Sequence, residues 1–331
     1  MKNNKLPKVF ILFAILILTA IGLIFFQQKV IVKKIKTLGK VVDIHSMRNY
    51  DAIMLNNNYI TKTFSDNTAL ITNNPKKFAL FIDMNDNSIS KIISNIGYYF
   101  QQEIPLVLKK LIRKGDNVVH LGGHIGSFEN ILAESVGENG KVFTFEPNPR
   151  SYYVLKRNLN LYNIENIVKA YQFASWSEND ENQLCFPTGY TDIAKISLDS
   201  SENNCVNVAL RTVDHVLKDE IDHIDLLFMD VEGAEIHSIA GAAKLLENSP
   251  DAIILMEWNP KFLRNMKSDP EKFVKDFLDQ GKSFFKVIPI SQEDVGFEKL
   301  SSVEDVLRQK HCDIVIIPNT LDLSRILQYS Q

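Results

Sequence analysis

The sequence predicts an α/β fold, doubly wound about a mostly parallel sheet, and three observations carry that expectation. Apolar runs at residues 118–121, 142–145, 170–173, 224–229 and 252–256 are each bounded by turn residues. They are continuous rather than alternating, the pattern of strands covered on both faces. Amphipathic segments separate several of them, and a glycine turn follows the first, as at the mouth of an open parallel sheet. With 331 residues, 45% of them hydrophobic, the chain has ample material for a core. A formal charge of −3 supplies no positive field for a phosphate polymer, so nucleic acid is not an expected partner.

Residues 1–8 form a short tail before residues 9–26, VFILFAILILTAIGLIFF, which carry no charge. A helix of that length spans most of a ~30 Å hydrocarbon layer. Phe25, Phe26, Gln27 and Gln28 close the run and do not resemble a cleavage site, so an uncleaved transmembrane anchor is expected over residues 9–28. Three lysines precede the run and five follow it, Lys29, Lys33, Lys34, Lys36 and Lys40, which favours a single pass with the larger part cytoplasmic. Residues 29–105 read as a juxtamembrane segment and a small subdomain, because Asn56, Asn57, Asn58, Asn67, Asn73 and Asn74 punctuate short β-like runs such as residues 79–82. No chemistry is visible there.

The main domain is expected over residues 106–320, with residues 321–331 as a tail. Leu106, Leu108, Leu111 and Ile112 give a helical stripe ending at Gly115. Asn148 and Pro149 are an N-cap and first-turn proline for a helix carrying Leu155 and Leu159. Residues 233–246 predict one further helix. At the carboxyl end, strands at 284–290 and 313–317 are joined through a short helical stretch around 303–307, too close for a crossover, and are expected to lie antiparallel at the sheet edge.

The chemistry belongs at the strand carboxyl ends. Gly122, Gly123 and Gly126 lie in the turn after the first parallel strand, where a ligand can approach backbone and helix N-terminus. Glu146 closes the second strand and suits the two hydroxyls of a ribose. The glycine spacing is not GxGxxG, which leaves an NAD-dependent oxidoreductase as a minor alternative. Asp230 and Glu232 after the fourth strand, and Glu257 closing the fifth, are candidates to bind an amino group or take a hydroxyl proton. Glu235 reads instead as a carboxylate at a helix start. His215, His223, His237 and His311 are scattered without metal-ligand spacing, so no metal is expected. There is no GxSxG elbow. Cys185, Cys205 and Cys312, odd in number and widely spaced, point to a reducing compartment.

The segments VVHLGGHIG, VFTFEPNP, QFASW, LLFMDVEGAE and IILMEWNP together resemble the FkbM family of S-adenosylmethionine-dependent methyltransferases, over residues 106–318. The resemblance implies a class I methyltransferase fold, a Rossmann-like seven-stranded sheet with an antiparallel edge hairpin. It implies S-adenosyl-L-methionine as cofactor, and O-methylation of a small molecule, sugar or lipid-linked glycan. Carried over, His120, Gly122, Gly123, Gly126 and Asp230 belong to the cofactor site, Glu146 holds the ribose, and Ser175 and Trp176 lie beside adenine. Asp230, Glu232 and Glu257 are the candidate catalytic bases. His120 and His124 stand where the family has Asp and Asn, and Phe228 where it has Lys, so a catalytically inactive binding module is the alternative. Residues 183–211, with Phe186 and Tyr190, and residues 258–266, with Trp258 and Phe262, are the expected acceptor surfaces.

Overall fold

A computed structural model describes residues 53–56, 59–197 and 204–321. The expected anchor and both termini lie outside them. Among the described residues no helix is long and apolar enough to cross a membrane.

Four short strands, β1 (Ile53–Asn56), β2 (Tyr59–Thr63), β3 (Thr68–Asn73) and β4 (Phe78–Asp83), form an antiparallel meander. Helices α1 (Ile89–Ile96) and α2 (Ile104–Leu111) lead from it into the alternating region. The chain then runs through β5 (Asn117–Leu121), α3 (Glu129–Val136), β6 (Lys141–Phe145), α4 (Pro149–Tyr162), β7 (Val168–Tyr171) and β8 (Ala174–Ser175). A β excursion, β9 (Asp180–Cys185), β10 (Lys195–Ile196) and β11 (Cys205–Arg211), precedes α5 (Val213–Leu217) and β12 (Leu226–Met229). Next come α6 (Glu235–Gly241), α7 (Ala243–Glu247), β13 (Ile253–Trp258), α8 (Pro260–Asn265) and α9 (Pro270–Asp279). The chain ends in β14 (Lys282–Pro289), β15 (Val295–Leu300), α10 (Val303–Arg308) and β16 (Cys312–Pro318).

The main sheet has eight strands in the order β15-β14-β16-β13-β12-β5-β6-β7. The five strands from β13 to β7 are parallel, and β16, β14 and β15 are antiparallel additions at one edge. Seven strands were expected. The eighth, β15, is a hairpin return in which Glu298 and Lys299 are exposed, so it lacks the apolar run of a central strand.

Even the continuous apolar strands divide their side chains by the period of two. Val118, Val142, Phe228 and Leu255 pack with α2, α3, α4 and the small sheet in one cluster. Val119, Phe143, Leu227 and Met256 pack with residues of α5 to α10 in another. The small sheet is tied to α4: Asn158 bonds the N–H and C=O of Phe81, Arg150 pairs with Asp83, and Arg157 lies over the Phe81 ring. Asn148 caps α4 as expected, accepting from the N–H groups of Arg150 and Ser151. α2 stops at Leu111 instead of Gly115, because Ile112 is extended.

The predicted helix over 233–246 is two helices meeting at Ala242. A Cβ on Gly241 would lie 2.0 Å from the Trp176 carbonyl oxygen, so only glycine lets α6 approach the chain after β8 this closely. Gly241→Ala should therefore cost about 1–3 kcal/mol by overpacking, read as a lower thermal midpoint.

In the excursion, β10-β9-β11-β8 form a separate sheet. Its register sets Cys185 directly opposite Cys205, with Cα atoms 4.1 Å apart, and the two form a disulfide. This corrects the expectation of three reduced cysteines; a separation of 20 residues carries no signal until strand pairing closes it.

Candidate active site

The site is built where β5, β6, β12 and β13 end. After Leu121 the chain turns at Gly122, with φ +89°. A Cβ there would stand 1.9 Å from the Asp230 carbonyl oxygen, so two strand ends approach through the missing side chain. The N–H groups of Gly122 and Gly123 both donate to the Phe145 carbonyl, at 3.0 and 2.9 Å. Glu146, next in the chain, is buried and aimed at the turn: it accepts from the His124 N–H and the Asn148 N–H, each at 2.7 Å. Burial still pushes its carboxyl up to about 7.

Asp230 follows β12, Glu232 follows in a left-handed turn with φ +54°, and Glu257 lies on β13. One oxygen from each lies within 4.8 Å of the others, and all three groups are half-buried. Loss of water, then repulsion by Glu257, raises Asp230 well above the usual carboxylate range. Loss of water, then Asp230 and Glu257, pushes Glu232 up to about 10. Oxygens at this spacing suit an ammonium, a divalent cation or a hydroxyl held between two of them. His311, just before β16, hydrogen-bonds through Nε2 to Glu257 and reaches solvent.

These groups line a cavity of about 300 Å³. Gly122, Gly123, Glu146 and Ser175 lie on its wall together with Asp230, Glu232 and Glu257. Among the described residues it contains five carboxylates, those four acidic groups and Asp192, and no lysine or arginine. The region before β5, where no chemistry was visible, contributes Ile89, Phe100 and Gln101. His124 also lines the cavity; its φ is +45° and its Nε2 lies 2.8 Å from the Thr191 hydroxyl, linking the glycine turn to the β9–β10 loop.

Other sequence candidates fall elsewhere. His120 is 1% exposed and does not line the cavity; its Nδ1 donates to Glu129 Oε1 at 2.8 Å and the ring stacks on Phe228 at 4.4 Å between centroids. Gly126 closes the turn to Gly123 without lining the cavity. Trp176 is buried against His237, ring on ring at 4.0 Å. Trp258, expected on the acceptor surface, is fully buried and donates to the Val306 carbonyl. Glu235 sits at the start of α6, accepting from the N–H groups of Val231 and Gly233, as its helix-start position suggested. His311 carried no usable signal, since only the β13–β16 register brings it beside Glu257, 54 residues away.

The raised carboxylates fix a sign. A carboxyl whose folded pKa exceeds its unfolded value of 4.5 binds more protons folded, so its contribution to stability falls as pH rises through that interval. The Glu232 part should be lost between 4.5 and about 10. Urea midpoints at pH 5 and pH 9 should differ less in Glu232→Gln than in the parent; an equal difference would refute the assignment.

Doubly wound sheet, glycine turn and acidic crevice at the strand ends together have the form of a methyltransferase-type α/β domain. A sequence model of the methyltransferase FkbM domain matches residues 120–284, and this stretch of the chain belongs to the FkbM methyltransferase family. No curated protein matches the sequence. Similar solved structures include an S-adenosylmethionine-dependent O-methyltransferase from Thermotoga maritima, at 14% identity and TM-score 0.40, covering 81% of this chain and 96% of that one. Another is the tomaymycin-synthesis O-methyltransferase of Streptomyces achromogenes, at 12% identity and TM-score 0.38, covering 66% and 79%. Fibrillarin of Aeropyrum pernix matches at 12% identity and TM-score 0.37, covering 80% and 98%.

Proposed function

We propose that the chain is an S-adenosylmethionine-dependent O-methyltransferase. The observation that carries this reading is the lining of the cavity: among the described residues it holds five acidic side chains and no lysine or arginine. Such a lining favours a ligand bearing a sulfonium and an ammonium and disfavours the pyrophosphate of a dinucleotide. Glu146 would hold the ribose hydroxyls, Gly122 and Gly123 would leave room at the backbone, and Asp230 would balance the ammonium. When bound, S-adenosylmethionine supplies a methyl group whose C–S bond breaks with its electron pair kept by sulfur as the C–O bond forms.

The hydroxyl proton passes to this chain. Glu232, pushed up to about 10 by burial and by Asp230 and Glu257, holds its proton near neutral pH and serves as a hydrogen-bond partner, while burial and Glu257 raise Asp230 above the usual carboxylate range. Glu257 is the proton acceptor, and His311, bonded to it and open to water, carries the proton out. A divalent cation on the same three oxygens is a second reading, favoured by their spacing. Proton transfer to Glu257 predicts turnover insensitive to EDTA; loss with EDTA and recovery with magnesium would favour the cation.

Calorimetric titration with S-adenosylmethionine, S-adenosylhomocysteine and NAD tests the function. The first two should bind and NAD should not; binding of none would favour the inactive module. Glu146→Ala should weaken S-adenosylmethionine by about tenfold or more, since two charge-assisted hydrogen bonds are lost. Unchanged affinity would overturn the ribose assignment.

The anchor over residues 9–28, with residues 40–331 in the cytoplasm, belongs to the same reading and is supported by the lysine excess and by the supply of S-adenosylmethionine inside cells. Protease added to sealed vesicles should spare a carboxyl-terminal tag. The Cys185–Cys205 disulfide is an exception to what a reducing compartment favours, and alkylation before and after reduction should find those two thiols accessible only after reduction.

A further inference from the structure

Beside the acidic cavity lies a second one, of about 460 Å³. It forms because the chain leaves β9 at Cys185, turns outward through Phe186 and Pro187, and returns past Ile193 to β10, opposite α8. Asn259 caps α8 by accepting from the Phe262 N–H, which fixes the face that presents Phe262 and Asn265, followed by Met266. The Cys185–Cys205 link holds the base of the outward turn to β11.

Ile193, Glu232 and Phe262 line both cavities, so the two share one wall, and Glu232 is the ionisable group common to both. The characters of the two differ. The first is rich in carboxylates, whereas the second is walled by Phe186, Pro187, Ile193, Phe262 and Met266, with Lys195, Asn265 and Glu232 as its polar side chains.

Resting on the methyltransferase reading, we propose that this second cavity is the acceptor subsite and that the acceptor is a hydroxyl carried on a mainly apolar ring or chain, rather than a free sugar. Apolar walls reward burial of hydrocarbon and give no partners to a ring of hydroxyls, each of which would lose water without replacement. A single hydroxyl at the Glu232 end meets a different surrounding. Glu232 and Glu257 have oxygens within 4.8 Å of each other, so one hydroxyl between them can bond both. The apolar wall chooses the body, and the carboxylate pair chooses the atom to be methylated.

The test uses the full-length chain and 2-naphthol, one hydroxyl on an apolar two-ring body, followed by its fluorescence, with methyl α-glucoside as competitor. Asn265 is exposed and lines only the second cavity, so Asn265→Trp fills it without disturbing the core. Phe186→Asp places a charge on its wall. Each variant should weaken 2-naphthol by about tenfold or more while S-adenosylmethionine affinity stays within about twofold, and the two ligands should bind together. Methyl α-glucoside should not compete. Absence of 2-naphthol binding, equal binding to parent and variants, or displacement by methyl α-glucoside would each overturn the proposal. Loss of S-adenosylmethionine binding with 2-naphthol binding intact would instead overturn the cofactor reading and leave the subsite standing.

Discussion

Glu257→Gln should lower kcat by roughly 10²–10³-fold while S-adenosylmethionine affinity stays within about twofold. The amide keeps the shape of the carboxyl group on β13 and removes its ability to accept a proton. Of the three clustered carboxylates, Glu232 is pushed up to about 10 and keeps its proton at neutral pH, Asp230 is raised by burial and repulsion, and Glu257 has an imidazole bonded to it. That imidazole belongs to His311, which is 65% exposed against 11% for Glu257, so the pair joins the crevice to bulk water. His311→Gln should therefore lower kcat less, by about tenfold, and added imidazole buffer should restore part of the loss. A Glu257→Gln enzyme with parental kcat would remove Glu257 from the chemistry. Parallel losses in kcat and cofactor affinity would assign it to binding instead.

His120→Leu should destabilise the folded chain by about 1–3 kcal/mol or more, because it leaves a buried Glu129 oxygen without its hydrogen-bond partner. His120 and Glu129 side chains are 2% and 1% exposed, with 2.8 Å between Nδ1 and Oε1. Without the imidazole, Glu129 keeps the Phe128 N–H at 3.2 Å and lies beneath Gly123, where a Cβ would come within 3.3 Å of its Oε1. The double variant His120→Leu, Glu129→Met should recover most of the loss, because replacing both partners by apolar groups leaves no unpaired buried polar group. Urea unfolding of the two single variants and the double closes the cycle. A loss under about 1 kcal/mol in His120→Leu would show that the pair does not support the turn.

His120 also explains two departures from the family pattern at once. The rings of His120 and Phe228 lie parallel, 1° apart in plane, on adjacent strands where the register pairs the two residues. They form one packing unit beneath the cavity wall, with Phe128, which lines the cavity, tilted against Phe228. The change from the family pattern thus leaves the acidic lining of the crevice in place.

Hydrophobic continuity in the sequence determined the five parallel strands and the two-faced burial, because a strand between helix layers must be apolar on both sides. Turn chemistry determined the Asn148 cap, and strand ends followed by acidic residues determined Glu146, Asp230, Glu232 and Glu257 as crevice groups. Each is a local property, readable within a few residues. Tertiary structure alone decided the rest. Packing against Glu129 and Phe228 kept His120 off the cavity wall. Antiparallel register brought Cys185 to Cys205 and His311 to Glu257. Packing of α1 and its following loop placed Ile89, Phe100 and Gln101 on the cavity wall. The physical reason is common to all of them: these contacts join residues far apart in the chain, and their geometry exists only after the sheet has set its register and buried its two faces.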